Sequence, residues 1–445
     1  MRPTRTLLAF ALVVAGSLAR PGVADWPQFR GGPALGHVRA RLPLRWSNEQ
    51  NLAWRTAVPG AGWSQPVVAG GRIFLTTAVA DGQSRPKNST SGVWDLSTMG
   101  RPALPKGELE WRVLCLDPAD GRVLWSRAVV KQKPEYGKHA SNTYATETPC
   151  ASADGVWAFF GATGTLVALD REGRERWRRE FGPQKIVNQF GTGSSPAMHD
   201  GRIFLQLDNE QSARLVCLDA ATGGDRWVAD RAKGTSWATP VVWNNAGTAE
   251  VLAAGDKNLV AHAVADGLER WRLEDIDTSF ACSVVADADG VYFGTSSPGS
   301  RSPAAAIAPG HLGDLTPPKG TARTAAVRWS RAKSGAAMPS PVVVGDLLFF
   351  LGDKATCLDK WTGEEKFRRR LPGGTTCVGS PLVVGDRIYA VNEKGTTLVL
   401  KAGPAFELLG ESTLGPGDEV FWASPAVVGD ALLIRSSDAL YCVRE

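Results

Sequence analysis

The chain repeats one short pattern along nearly its whole length. A Ser/Thr-Pro or similar anchor followed by an apolar run occurs eight times, beginning at Ser64, Glu147, Ser194, Ala238, Ala281, Pro339, Gly379 and Ala423. Recurrence at a fixed period indicates a repeat architecture, in which each unit buries its apolar faces only against its neighbours. The fold must therefore be built from copies of one small unit.

A second pattern follows most of these anchors: an apolar strand, a turn of the D-x-x-x-G type and an aromatic residue. Examples are VLCLDPADGRVLW at 113–125 and LVCLDAATGGDRW at 215–227. The near-constant spacing indicates a turn held by geometry and a flat ring that packs between neighbouring units. The residues predicted to dock one unit on the next are Trp54, Trp125, Trp177, Trp227, Trp271, Trp329 and Phe367.

Each unit contains four short strands joined by Gly- and Asp-containing turns, and the shortest repeats run ~40–45 residues, which is typical of a propeller blade. The last unit lacks an aromatic fourth strand, and NLAWRTAV at 51–58 can supply it. We therefore predict an all-β, eight-bladed propeller of four-stranded antiparallel blades, closed by an N-terminal strand. Seven blades is the alternative, because the fifth unit is irregular and its Trp329 arrives late.

The first 24 residues have the pattern of a secretory signal peptide. Arg2 and Arg5 precede the apolar segment LLAFALVVAG, and small residues follow it. This pattern predicts an extracytoplasmic protein, periplasmic or secreted; a disordered start or a single anchoring helix is the alternative. No Cys lies near the cleavage region, so no lipoprotein signal is evident. Residues 25–445 then form one domain, with loop insertions near 80–110 and 297–326.

Charge and hydropathy exclude two classes of partner. The formal net charge of +5 falls to near neutral without the basic residues of 1–24, so no nucleic-acid-binding footprint is expected. No later apolar run reaches the ~18 residues of a membrane span. The sequence also lacks H-E-x-x-H, C-x-x-C and G-x-S-x-G motifs, so we predict no metal site and no catalytic residues.

The seven cysteines are widely spaced. Cys115, Cys217, Cys357 and Cys442 lie in apolar strand contexts and are interpreted as small buried hydrophobic residues. The other three, Cys150, Cys282 and Cys377, begin other strands and could form a disulfide in an oxidising compartment, although the sequence does not pair them.

The repeats resemble the pyrroloquinoline-quinone-like (quinoprotein-type) β-propeller family over nearly all of residues 25–445. The resemblance rests on CLDAATGGDRW, CLDPADGRVLW, CLDKWTGEEKF and two weaker copies, and DWPQFRGG at 25–32 resembles the opening of secreted members. The family implies three functional classes: quinone-dependent dehydrogenases, an outer-membrane assembly propeller, and secreted propellers with other ligands.

The dehydrogenase class implies a vicinal Cys-Cys pair and a Ca²⁺ held by Glu, Asn and Asp. This sequence has no Cys-Cys pair and no matching set of Glu, Asn and Asp. We therefore predict a monomeric, non-catalytic scaffold that binds a protein or envelope component and needs no cofactor. The alternative is an oxidoreductase that uses pyrroloquinoline quinone (PQQ) with Ca²⁺ in a divergent site. Fold alone does not decide between them.

Two polar segments precede first strands and should lie at the mouth of the central channel. These are EYGKHASNTYATETP at 135–149 and KIVNQFGTGSSP at 185–196. Loops on a rigid ring are where binding residues are usually placed, although such loops can also serve only to solvate the ring. The candidate binding residues of this funnel rim are His139, Asn142, Tyr144, Glu147, Asn188 and Gln189.

Overall fold

Eight four-stranded antiparallel sheets, the blades, make up a computed structural model that describes residues 25–81, 85–86, 104–295, 300–374 and 376–445. Within these ranges the chain forms 34 strands and two short 3₁₀ turns, at Val187–Gln189 and Pro372–Gly374, and no α-helix. The predicted eight-bladed propeller is confirmed, and the seven-bladed alternative is wrong because the irregular fifth unit forms a complete blade.

Two strands precede the first blade, β1 (His37–Val38) and β2 (Leu52–Ala57). Blade one contains β3 (Val67–Ala69), β4 (Arg72–Val79), β5 (Leu109–Leu116) and β6 (Val123–Gln132). Blade two contains β7 (Cys150–Ser152), β8 (Gly155–Phe160), β9 (Thr165–Asp170) and β10 (Glu175–Glu180). Blade three contains β11 (Ala197–His199), β12 (Arg202–Gln206), β13 (Arg214–Asp219) and β14 (Asp225–Asp230).

Blade four contains β15 (Val241–Asn245), β16 (Thr248–Ala254), β17 (Leu259–Ala263) and β18 (Glu269–Leu273). Blade five contains β19 (Val285–Asp287), β20 (Gly290–Gly294), β21 (Ala304–Ile307) and β23 (Val327–Arg331); the intervening β22 (Gly313–Asp314) pairs with β18. Blade six contains β24 (Val342–Val344), β25 (Leu347–Leu351), β26 (Lys354–Asp359) and β27 (Glu365–Arg370).

Blade seven contains β28 (Leu382–Val384), β29 (Arg387–Val391), β30 (Thr396–Lys401) and β31 (Leu408–Thr413), and β1 adds to its inner edge in parallel. Blade eight contains β32 (Ala426–Val428), β33 (Ala431–Arg435), β34 (Ala439–Val443) and the N-terminal β2. The first strand of each blade lies nearest the axis, and the fourth lies at the outside.

Burial follows the position of a strand in its blade. The second and third strands are packed on both faces, so β8 (GVWAFF) is buried at every residue. The fourth strands are largely solvent-facing, and β10 (ERWRRE) has no fully buried residue. This difference explains why the inner strands are continuous apolar runs and the outer strands are rich in charge.

The chain closes its own ring through β2. This strand pairs antiparallel with β34, which places Trp54 opposite Cys442 and Leu52 opposite Val443. The predicted N-terminal closure is therefore confirmed. Because the first and last parts of the chain share one sheet, no blade is left with an unpaired third strand.

Most of the docking aromatics contact the turn of the next blade in one way. Each indole N–H donates to the backbone carbonyl of the residue that follows the Asp position of that turn. The pairs are Trp54 with Pro118, Trp125 with Arg171, Trp177 with Ala220, Trp227 with Val264 and Trp329 with Lys360, at 2.8 to 3.1 Å. The turn glycine lies under the ring: a Cβ on Gly223, whose φ is +73°, would lie 2.7 Å from the Trp177 ring.

Two of the seven aromatics depart from this arrangement. The indole N–H of Trp271 donates to Glu250 Oε2 of its own blade at 2.8 Å, and β22 pairs with the strand that carries Trp271. Phe367 has no N–H to donate, and its ring packs edge-on against Phe406 of blade seven at 5.8 Å.

The remaining sequence predictions have mixed outcomes. The predicted loop 297–326 contains β21, the third strand of blade five, so the interruption lies after Ile307 instead of before it. Most of 80–110 and the whole signal peptide 1–24 lie outside the described residues. All seven cysteines are free and buried, so no disulfide joins Cys150, Cys282 and Cys377.

Deleting residues 43–58 tests the ring closure. The deletion removes the outer strand of blade eight and its buried Trp54, so we expect the free energy of unfolding to fall by at least the ~3–5 kcal/mol typical of losing one buried Trp side chain. Denaturant unfolding of the deletion variant and of the control Ala53→Ser, an exposed change on the same strand, measures this. A deletion variant as stable as the parent would contradict the closure.

Candidate functional site: the central cavity

A cavity of about 400 Å³ lies on the axis of the ring and is lined by all eight blades. Its walls come mainly from the loops that join the fourth strand of one blade to the first strand of the next. These loops carry the repeated Ser/Thr-Pro anchor, so the lining can be described by position relative to that proline. Two positions, one and three residues before it, supply most of the wall.

The position immediately before the proline forms an inner ring, which we call the hydroxyl ring. Seven of its eight members carry a hydroxyl. Every member is followed by a proline except Ser283, which is followed by Val284. The members are Gln65, Thr148, Ser195, Thr239, Ser283, Ser340, Ser380 and Ser424, all buried and all lining the cavity.

The hydroxyl ring links each blade to the following one. The backbone N–H at this position in one blade donates to the side-chain hydroxyl at the same position in the next, so Thr148 N–H donates to Ser195 Oγ at 2.9 Å. Seven such bonds, 2.8 to 3.1 Å long, run from Gln65 to Ser424. The anchor therefore satisfies a buried donor that the short first strand cannot pair.

Gln65 is the exception because its side chain holds the N-terminal segment. Its Oε1 accepts from Arg30 N–H at 2.8 Å, and its Nε2 donates to the Pro425 carbonyl at 2.5 Å. The segment after Trp26 then crosses the axis, where the Pro27 carbonyl accepts from Ala151 N–H. Phe29 borders both the central cavity and a second one of about 290 Å³, so this segment separates the two.

Arg30 lies fully buried in this crossing segment. Its guanidinium donates to the carbonyls of Pro341 and Leu35 at 2.6 and 3.2 Å, and no described carboxylate lies within ion-pair distance. Burial lowers the pKa of Arg30 to about 10. Its hydrogen bond to the Pro341 carbonyl, directly before the first strand of blade six, holds the segment across the axis.

The position three residues before the proline forms an outer ring nearer the opening. Its members are Trp63, Thr146, Gly193, Trp237, Ala281, Met338, Val378 and Trp422. Trp63 and Trp422 stack with centroids 5.9 Å apart, and Trp237 packs beside Phe190 at 6.3 Å. The sequence analysis missed these tryptophans, although WSQP, WATP and WASP mark the three blades that carry them.

Two of the six predicted rim residues line the cavity. His139 Nδ1 lies 2.7 Å from Ser141 Oγ, and its ring packs edge-on against Phe190. Asn142 braces the loops: its amide donates to the Phe190 carbonyl at 2.7 Å and its Oδ1 accepts from Thr146 Oγ1 at 2.6 Å. Because both ends of its side chain are used within the protein, Asn142 positions the wall.

The other four lie away from the lining. Tyr144 is buried, with its ring edge-on to Trp111. Asn188 and Gln189 lie in the 3₁₀ turn beside the cavity, where Asn188 is exposed and Gln189 Oε1 accepts from Gly137 N–H at 2.8 Å. These residues fail to reach the lining because the loop presents Val187 and Phe190 to it instead.

Glu147, the fourth of these residues, is fully buried behind the wall. Its Oε1 accepts from Gly161 N–H at 3.1 Å, while Oε2 has no hydrogen-bond partner among the described residues. Burial raises the pKa of Glu147 to about 7. Its contacts are with the backbone of blade two and with the side chain of Thr192, which itself lines the cavity, while Glu147 does not.

The described lining of the cavity is polar and aromatic but uncharged. It contains hydroxyls, amides, one imidazole and aromatic faces, and no Asp, Glu, Lys or Arg among the residues that the structure describes. In the described ranges no group of three or more His, Cys, Asp and Glu side chains could hold a metal ion. The wall thus offers neutral hydrogen-bonding groups and flat apolar surfaces.

Sequence comparison places the chain in a known family. Two segments, 162–310 and 309–403, match the family described as outer membrane protein assembly factor BamB, and together they span more than half of the chain. The chain belongs to this family. BamB of Yersinia pestis is 27% identical in an alignment of 266 positions that covers 54% of this chain and 58% of that protein, so the match spans less than two thirds of the relative.

Solved structures share the fold. A europium-containing methanol dehydrogenase superposes with a TM-score of 0.60 at 10% identity, covering 94% of this chain and 90% of the other. The quinohemoprotein alcohol dehydrogenase ADHIIG from Pseudomonas putida gives a TM-score of 0.59 at 11% identity, covering 94% and 80%. Identities this low show a common propeller and nothing about activity.

The PQQ and Ca²⁺ that the family resemblance implies do not fit the described lining. PQQ is a tricarboxylate, and the Ca²⁺ beside it needs oxygen ligands that include carboxylates. The described residues of the cavity wall include neither a carboxylate for the ion nor a Lys or Arg for the acid groups of the quinone. We therefore derive no redox step for this protein.

Ser283 offers a direct test of the hydroxyl ring. In Ser283→Ala the buried N–H of Thr239 loses its acceptor, so we expect the free energy of unfolding to fall by ~1–3 kcal/mol. Ser283→Thr should stay near the parent, because Thr148 and Thr239 occupy the same position. Denaturant unfolding of all three proteins measures this, and equal stability of the Ala variant would contradict the role of the ring.

Proposed function

We propose that the protein is a non-catalytic scaffold that binds a protein partner during assembly of the outer cell envelope. Membership of the BamB family carries this proposal, because the matched relative is named an outer membrane protein assembly factor. The N-terminal signal pattern supports an extracytoplasmic location. No helix in the described ranges is long and apolar enough to cross a membrane.

Exposed apolar side chains on the outer edges of blades three and four support a protein partner. Val228 follows the docking residue Trp227, and Leu268 follows the glycine on which that ring packs. Leu312 precedes β22, which extends blade four beside β18. These three side chains are 47%, 67% and 56% exposed. Large exposed apolar side chains on a rigid surface are candidates for contact with a partner.

Site-specific photocrosslinking in cells tests this surface. We expect benzoylphenylalanine at Val228 or Leu268 to give a discrete adduct with one envelope protein, because both positions lie inside the proposed interface. Val123 is the matched control: it is 39% exposed at the start of an outer strand, but in blade one. No adduct at Val228 and Leu268, or the same adducts at Val123, would contradict the proposal.

The quinone-dependent alternative is tested by calorimetric titration of the purified protein with PQQ, with and without Ca²⁺. We expect no binding heat above dilution in either case, because the residues described in the cavity lining include no charged group for the cofactor or the ion. Tight binding that depends on Ca²⁺ would overturn the non-catalytic proposal and favour an oxidoreductase.

A further inference from the structure

We propose that the central cavity is a binding site for an uncharged carbohydrate chain. This inference goes beyond the scaffold function, because the cavity and the apolar surface around Val228 are different parts of the molecule. Three properties of the described lining carry it: a ring of uncommitted hydroxyl donors, a set of aromatic faces above that ring, and no charged side chain among the described residues of the wall.

The hydroxyl ring has donors to spare. In each of its seven Ser and Thr members the oxygen accepts a backbone N–H, which leaves the hydroxyl proton available. None of these seven O–H groups donates to an acceptor within the part of the chain that the structure describes. The floor of the cavity therefore presents donors around its whole circumference, and a ligand that fits must bring oxygen acceptors on all sides.

The aromatic side chains provide flat surfaces above these donors. The N–H of Trp63 donates to the Ser141 carbonyl at 2.9 Å and that of Trp237 to the Gly191 carbonyl at 2.7 Å, so both rings are held in place. Trp422 is only 9% exposed, and its indole N–H has no hydrogen-bond partner among the described residues. Rigid aromatic rings give contact area at low entropic cost.

A pyranose ring matches both features. It carries hydroxyl and ether oxygens around its edge and apolar C–H groups on its faces, so its edge can accept from the hydroxyl ring while a face lies on tryptophan. A purely apolar ligand would leave the hydroxyl donors unpaired, which costs binding free energy. A peptide presents its carbonyls along a line and not around a ring. The volume of about 400 Å³ lies within the usual range of small-ligand sites.

The absence of charge selects among carbohydrates. A sulfated or uronic acid sugar would have to give up hydration without gaining a cation from the described part of the wall. Neutral glycans lose less free energy on desolvation, and their hydroxyl groups can form hydrogen bonds with the hydroxyl ring. We therefore expect neutral sugars to be the ligands.

The proposal is tested by calorimetry and tryptophan fluorescence with cellotriose, maltotriose and N,N′,N″-triacetylchitotriose as probes. At least one should bind with a Kd of ~0.1–1 mM, corresponding to about −5 kcal/mol. Trp237→Ala should weaken that binding at least tenfold by removing an aromatic face. Trp361→Ala, which removes a 40%-exposed tryptophan from blade six far from the lining, should leave it unchanged.

A second variant distinguishes loss of sugar binding from loss of folding. Ala281 lies in the outer ring and is partly exposed, so Ala281→Phe should fill the cavity and abolish sugar binding while the melting temperature stays close to that of the parent. The proposal is overturned if none of the three trisaccharides binds at sugar concentrations tenfold above the expected Kd range. It is also overturned if a folded Ala281→Phe protein binds sugar as the parent does. Neither result would change the crosslinking expected at Val228, so failure of the carbohydrate proposal can be distinguished from failure of the scaffold proposal.

Discussion

One hydrogen bond, repeated from blade to blade around the axis, is the interaction on which the rest of the structure depends. A propeller brings its first strands together at the axis, where each has a neighbour in its own sheet on one side only, apart from the first strand of blade seven, which also pairs with β1. The Ser and Thr hydroxyls before the anchor prolines accept the N–H groups left over on the other side. Since the same side chains line the cavity, the bond that fixes the blades also fixes the site.

The outside of the ring is held by a second repeated contact. The tryptophan of one blade lies on the turn glycine of the next and donates to a carbonyl beside it. This contact leaves the face near the axis free of large docking side chains. The N-terminal part of the chain contributes both at the axis and at the outside of the ring. Arg30 N–H donates to Gln65 at the axis, and β2 completes blade eight at the periphery.

Blade number and ring closure could be predicted from sequence because both depend on local patterns: a proline anchor, a turn glycine and an aromatic at fixed spacing. The lining could be predicted only in part. His139 and Asn142 reach it, whereas Glu147 is buried behind it, because polarity alone does not say which way a loop side chain points. The tryptophans at the third position before the proline were recognisable only by aligning the eight anchors on one another. The predicted position of the insertion in blade five was wrong because β21 is a run of alanines, which lacks a strand signature.

Amide hydrogen exchange at the ring position tests the central claim most directly. If the hydroxyl ring holds the blades together, the amides of Gln65, Thr148, Ser195, Thr239, Ser283, Ser340 and Ser380 should exchange only through global unfolding. Their protection should then equal that of the buried second strands. Exchange as fast as that of the solvent-facing β10 would show that the axis opens independently, and it would contradict the account.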